Sequence, residues 1–212
     1  MGQQRFVTRQ LDGGDAVLVA ALEEELFPGD SWSATIVREQ LKLPYTYFVG
    51  VFDSSWQSRK QTDMLARDIV SDDVVSDTLV SVDHGGVNAG GGGHDLSSAG
   101  YHNTCGTNGC ERLIGYGALC FFAPEGDGAD LITIGIVHDY RRKGLAWHIL
   151  EQLLDEARRR NSRQILLEVR AGNVAAIAMY KKAGFRVIDK RKRYYRRPTE
   201  DALVMRLRLK GQ

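Results

Sequence analysis

Arg141-Arg142-Lys143-Gly144-Leu145-Ala146 is the stretch of this chain best suited to hold an anion. It lies between an apolar run, Leu131 to Val137, and a long amphipathic segment, Leu145 to Arg160. A strand that feeds a tight basic turn, which in turn opens a helix, aims backbone N–H groups and a helix N-terminus at one point. That arrangement suits a phosphate or pyrophosphate. Gly144 permits close approach, and Ala146 is small where a bulkier side chain would block it. No G-x-x-x-x-G-K-[ST] occurs, and no G-x-G-x-x-G follows the strand, so the turn is neither a Walker loop nor the dinucleotide fingerprint. Two further residues have suitable chemistry. Glu168 closes an apolar run, where a carboxylate is either close to a reactive centre or exposed at a strand end. Tyr180 comes seven residues after Asn173, two helical turns on and therefore on the same face. Its phenol either donates a proton or packs in a core.

The elements that position these residues are legible as patterns. Arg5 to Leu11 reads as a short strand. Asp15 to Phe27 carries a helical stripe at Val17, Leu18, Ala21, Leu22 and Leu26, and Pro28-Gly29-Asp30 breaks it. Ser33 caps a second helix, Ala34 to Leu43, and Thr46 to Phe52 has strand composition. Leu113 to Phe122 and Ala129 to Val137 are strands; Leu145 to Arg160 is a helix with Leu145, Ile149, Leu150, Leu153, Leu154 and Ala157 on one face. Gln164 to Val169 is a strand, and Asn173 to Lys182 is a helix stopped by Gly184. Phe185 to Ile188 and Ala202 to Leu209 are strands around a basic loop that bears Tyr194 and Tyr195. From Asp53 to about Cys110 the chain turns Asp/Ser-rich and then Gly-rich, which predicts a flexible insertion at 53–110 within a single domain spanning 1–212.

The bulk numbers fit one globular domain: 212 residues, 43% hydrophobic, 26% charged. A net charge of +1 argues against a strong nucleic-acid binder, although residues 181–197 hold nine Lys or Arg against one acid, Asp189. The N-terminus lacks a basic-then-apolar signal pattern, and no apolar run approaches the roughly 18 residues of a spanning helix, so the expectation is a cytoplasmic chain without a membrane partner. Three cysteines make no disulfide framework. Cys105 and Cys110 near His94 and His102 have poor zinc-ligand spacing, so no metal is expected. Cys120 reads as a small core residue.

The second half resembles the GNAT acetyltransferases, and more narrowly the RimI-type ribosomal-protein-alanine N-acetyltransferases. The residues that carry the resemblance are Ile134-Gly135-Ile136, Arg141 to Ala146, Leu167-Glu168-Val169-Arg170-Ala171-Gly172-Asn173, Ala175-Ala176-Ile177-Ala178-Met179-Tyr180, Gly184-Phe185, Tyr194-Tyr195 and Glu200-Asp201-Ala202. Phe27-Pro28 and Trp32-Ser33 resemble the family's Phe-Pro-Trp-Ser helix connection, spread by three inserted residues. The resemblance implies an α/β (α+β) GNAT fold, a mixed, mostly antiparallel sheet of about seven strands flanked by about four helices. It implies acetyl-CoA as donor, held by Arg141, Arg142, Lys143, Gly144, Leu145 and Ala146 at the pyrophosphate. The backbone at Ile134, Gly135 and Ile136 would meet the pantetheine like an added strand, and the Asn173 side chain would contact the donor. It assigns the general base to Glu168 and the acid to Tyr180.

For the acceptor, the resemblance puts Tyr194 and Tyr195 at a peptide groove and implies a protein N-terminus, the alanine of a small-subunit ribosomal protein followed by basic residues. Such a peptide calls for carboxylates, and Glu23, Glu24, Glu25, Asp30, Glu200 and Asp201 are the candidates. The Lys190-Arg191-Lys192-Arg193 run fits that role poorly and reads as a solvated face. No cysteine sits in a matched motif, which favours direct transfer in a ternary complex over an acyl-enzyme. The alternatives are acetylation of lysine or a small amine, and a non-catalytic acetyl-CoA-binding module.

Overall fold

The computed structural model describes residues 6–28, 31–54, 103–106, 109–122 and 128–209. The strands are β1 (Phe6–Gln10), β2 (Thr46–Asp53), β3 (Asn103–Gly106), β4 (Gly109–Phe121), β5 (Ala129–Ile136), β6 (Gln164–Arg170), β7 (Arg186–Arg196) and β8 (Thr199–Arg208). The α-helices among the described residues are α1 (Ala16–Leu26), α2 (Ala34–Lys42), α3 (Leu145–Arg159) and α4 (Val174–Lys182). The strands form one sheet in the order β1-β2-β4-β5-β6-β8-β7, with β3 paired to β4 off that path. All pairings are antiparallel except β5 with β6. No helix among the described residues is long and apolar enough to cross a membrane.

The helices form where capping and periodicity foretell them. The Ser33 hydroxyl accepts the Ile36 N–H at the start of α2, and the Asn173 side chain accepts the Ala176 N–H at the start of α4. Gly184, at φ 98°, ends α4. The whole α3 stripe is buried: Leu145, Ile149, Leu150, Leu153, Leu154 and Ala157. In α1 the stripe differs by one step. Val17 is exposed, and the inner face is built from Ala16, Leu18, Val19, Leu22, Glu23 and Leu26.

One irregularity shapes the site. Between β4 and β5 the register shifts, pairing Ala118 with Thr133 but Leu119 with Leu131, which leaves Ile132 as an extra residue. A bulge of this kind bends its strand. β5 accordingly pairs with β6 only at Ala129–Ile165 and Asp130–Leu166, and beyond those pairs the two strands part. The gap opens at the C-terminal ends of two parallel strands, just where β5 leads to the basic turn.

Two expectations need correction. The basic, tyrosine-bearing segment is not a loop: β7 and β8 continue through it as a long hairpin, with register shifts between Val187 and Asp189 and between Arg191 and Tyr195. β7 is an edge strand, so both of its faces meet water for most of its length and it shows no apolar alternation. The stretch 53–110 is also not uniformly outside the sheet. Asp53 ends β2, β3 lies inside the stretch, and β4 begins at Gly109; residues 55–102 lie outside the described residues.

Candidate active site

The basic turn is held from behind. The buried Asp53 carboxylate accepts the Tyr140 hydroxyl at 2.8 Å, and the Lys143 ammonium lies 4.9 Å from the centre of the Tyr140 ring. Arg141 turns back, its Nε donating to the Ile136 carbonyl at 3.0 Å. Its guanidinium therefore braces the turn against β5. Arg142 at φ 61° and Gly144 at φ 81° both adopt left-handed backbone. Gly144 sits at the N-cap of α3 and offers no side chain to the first-turn N–H groups, and a Cβ there would meet nothing within 4 Å. The N–H groups that begin α3 thus face open space beside exposed Arg142 and Lys143. The Leu145 side chain is in the core, so this residue has only its backbone to give, and Ala146 is half-buried.

Ile134, Gly135 and Ile136 line the gap. On one side they pair with Gly117, Tyr116 and Gly115 of β4; on the other no strand among the described residues pairs with them. The Ile134 and Ile136 side chains are buried, leaving main-chain groups as what this edge presents. At Gly135 a Cβ would lie 2.5 Å from Leu26, so the glycine lets the end of α1 close over the strand. Asn173 is buried, and its Oδ1 is engaged by the α4 cap at 3.0 Å.

Glu168 stands on β6 across the gap, 7% exposed. Its Oε1 pairs with the Arg191 guanidinium of β7, while its Oε2 is buried with no hydrogen-bond partner. The hydroxyls of Tyr180 and Tyr195 are likewise buried without partners. Burial pushes the Tyr180 phenol well above its ordinary value, with nearby Tyr195 adding to the effect. Burial does the same to Tyr195, eased by Arg170 and reinforced by Glu168. The Tyr194 phenol is pushed up to about 12, by burial and then by its hydrogen bond to the Glu168 carboxylate. Tyr194 and Tyr195 thus hold their protons beside one carboxylate, and Tyr180 lies next to Tyr195. Next to Glu168, Asp130, Leu166, Val204 and Phe122 line a cavity of about 170 Å³.

An unpartnered buried hydroxyl costs about 1–3 kcal/mol. Tyr180→Phe keeps the ring contact with Phe185, centroids 5.6 Å apart, and removes that cost. The expected result is a thermal midpoint raised by about 2–4 °C for each kcal/mol recovered, read by calorimetry. A lowered midpoint would mean that the hydroxyl is satisfied in the folded state.

The turn of the β7–β8 hairpin is fixed by Arg170, whose guanidinium donates to the carbonyls of Arg197 and Pro198 and to Glu200. Its carbon lies 4.1 Å from the centre of the Tyr195 ring. Glu200 also accepts the Gly172 N–H at 2.6 Å. Neither Arg170 nor Arg191 was singled out from the sequence. Arg170 was readable as the charged residue that closes Leu167-Glu168-Val169, whereas Arg191 was lost within a run of four cations.

The acceptor carboxylates expected from the sequence are already engaged. Glu23 is buried, bonded to the Tyr116 hydroxyl and to the Trp32 N–H, and burial raises its carboxyl against both bonds. Glu24 accepts from Ser31, Glu25 pairs with Arg112, Glu200 with Arg170, and Asp201 with Lys190. Asp30 lies outside the described residues. So do His94, His102 and the side chains of Cys105 and Cys110, and the described residues hold no group of three potential metal ligands.

The mixed sheet, its splayed parallel pair and the basic turn that follows are the GNAT fold, and the chain carries a GNAT acetyltransferase domain: the Acetyltransferase (GNAT) family matches residues 94–185. The ribosomal protein bS18-alanine N-acetyltransferase of Escherichia coli strain K12 is 45% identical over 85 residues, which cover 38% of this chain and 56% of that protein. The N-alpha-acetyltransferase RimI of Mycobacterium tuberculosis is 42% identical over 74 residues, covering 35% of this chain and 45% of its relative. The match therefore spans about half the length of these curated relatives. In three dimensions the crystal structure of the Escherichia coli ribosomal-protein-S18-alanine N-acetyltransferase matches with a TM-score of 0.62 at 20% identity, over 98% of this chain and 97% of that one. Arabidopsis thaliana NAA60 in complex with acetyl-CoA matches with a TM-score of 0.62 at 15% identity, over 98% of this chain and all of that one.

Proposed function

We propose that this chain is an acetyl-CoA-dependent Nα-acetyltransferase that modifies the N-terminal alanine of a small-subunit ribosomal protein in the cytoplasm. It would act as one domain, 1–212, with an insertion between β2 and β4. The observation that carries this reading is Glu168 Oε2, buried without a partner on β6 beside the gap, with the unpartnered Tyr195 hydroxyl close enough to feel its charge. The names of its relatives supply the acceptor class.

Acetyl-CoA supplies an activated acyl group, whose transfer breaks a C–S bond and forms an N–C bond. The residues present fit it. The α3 N-terminus with Arg142 and Lys143 suits the pyrophosphate, and the unpaired edge at Ile134 to Ile136 suits the amides of the pantetheine arm. An α-amine has a pKa of about 7.7–8.0, so near neutral pH its attack needs a proton acceptor, and Glu168 Oε2 is that acceptor. Arg191, whose side chain is 50% exposed, holds the other oxygen and can swing into water as the acceptor enters. Tyr180 keeps its proton and donates a hydrogen bond to the departing sulfur. Tyr194 and Tyr195 border the acceptor's entry.

Acceptor profiling tests this reading. Peptides that begin with Ala and carry one internal Lys are offered with the α-amine free or formylated. Transfer is expected only to the free α-amine, with intersecting double-reciprocal lines. Transfer to the internal Lys of a blocked peptide would indicate a lysine acetyltransferase, and no transfer at all would indicate a binding module.

A further inference from the structure

The cavity beside Glu168 lies at the closed end of the gap. Both strands wall it where they part: Asp130 and Leu131 on β5, Leu166 and Leu167 on β6. Asp130–Leu166 is the last pair joined across the seam, and Leu131 and Leu167 are the first residues beyond it. Most of the lining is apolar. Leu131 and Leu167 are buried, Leu166 is half-buried, and Val204 and Phe122 complete the apolar wall. Glu168, Asp130 and Arg191 supply the polar part, two carboxylates against one guanidinium. A volume of about 170 Å³ has room for about five groups the size of water, at roughly 30 Å³ each.

We infer that this cavity receives the acyl chain of the donor and admits neutral chains longer than acetyl, such as propionyl and butyryl. The inference rests on the gap as the donor's seat and widens the donor class. A donor held by its pyrophosphate at the α3 turn and lying along Ile136 and Ile134 runs from the open end of the gap toward the closed end. Its thioester is the far end of that arm. Glu168 fixes the depth, because an amine that gives its proton to Oε2 attacks an acyl carbon beside this same cavity. The acceptor does not compete for the space. Tyr195 is opposite Glu200 and Glu168 opposite Val204, so Leu166 lies beyond Glu168 on the side away from the tyrosines. The free volume at the thioester is therefore left to the chain behind the carbonyl, and the single methyl of an acetyl group fills little of it. The reaction keeps its balance: the amine nitrogen bonds to the acyl carbon, its proton passes to Glu168, and the C–S bond breaks with its electron pair on sulfur. A site shaped to a methyl alone rejects each further methylene by about tenfold or more, whereas a methylene that enters an apolar space is favoured by about fourfold. The excess of carboxylate in the lining disfavours a chain that itself ends in a carboxylate, such as succinyl.

The test offers acetyl-, propionyl-, butyryl- and succinyl-CoA with one peptide that begins with Ala, and reads both transfer and, without peptide, calorimetric binding. Butyryl-CoA is expected to have a kcat/KM within about tenfold of acetyl-CoA and a lower Kd, with propionyl-CoA between them and succinyl-CoA the poorest. Leu166→Phe, at a half-buried position, is expected to lower the butyryl-to-acetyl ratio at least about tenfold, and Leu166→Ala to raise it. A wild-type ratio below about one in ten, a ratio unchanged in both variants, or succinyl-CoA used better than propionyl-CoA overturns the inference and leaves the acetyltransferase reading intact. If no donor is turned over, the proposed function fails, but binding that tightens with chain length and loosens in Leu166→Phe still supports the cavity. Binding indifferent to chain length overturns both.

Discussion

Glu168→Gln is expected to lower kcat/KM by about 10²-fold or more, the usual contribution of a positioned general base. The substitution keeps the shape and removes the basicity of an oxygen that has no protein partner. Because Glu168 lies across the gap from the α3 turn, KM for acetyl-CoA should stay within about twofold, and the loss should appear in kcat. In the wild-type protein kcat/KM should rise with pH as the acceptor amine loses its proton near 8. It should then stay level to about pH 10, because Tyr180 and Tyr195 are both raised above the ordinary phenol value and do not ionise in that range. A Glu168→Gln variant with at least half the wild-type kcat/KM would remove this residue from the chemistry.

Gly144→Val should act on the donor instead. At φ 81° a β-branched residue is strained by about 1–2 kcal/mol, and relief of that strain rotates the N–H groups that open α3. Nothing in the protein occupies the space where the new side chain would point, so the protein should still fold. The side chain instead enters the volume from which those N–H groups are reached. We expect KM for acetyl-CoA to rise about tenfold or more with kcat within about threefold, measured at saturating acceptor. Unchanged KM would show that the turn does not hold the donor.

The sequence foretold the scaffold better than the surface around the site. The α3 stripe, the Ser33 cap and the strand before the basic turn all follow from periodicity and capping chemistry, which act locally. The parting of β5 from β6 was legible only through family resemblance, because the bulge at Ile132 depends on register between strands. Asn173 was assigned to the donor by resemblance, yet its oxygen has a local task at the α4 cap, readable from its place three residues before Ala176. The β7–β8 hairpin reads as a loop in the sequence because an edge strand wet on both faces carries no alternation. Glu23 was hidden because a buried acid on a helical stripe reads as a solvated one until Tyr116, far away in sequence, is brought to it. Asp53 reads in the sequence as the start of the Asp/Ser-rich stretch, and in the fold it anchors Tyr140 behind the basic turn.

The sheet behaves as two leaves stitched at a short seam. Among the described residues, Ala129–Ile165 and Asp130–Leu166 alone join the five-strand leaf to the three-strand leaf by backbone pairing. A molecule lying in the gap and bonding to both rims acts as a rivet, so its affinity and the cohesion of the leaves become one quantity. At a hundred times its dissociation constant such a rivet adds about 2.7 kcal/mol to the folded state. The cell's supply of the thioester would then set how long each copy of the protein survives, as well as how fast it works.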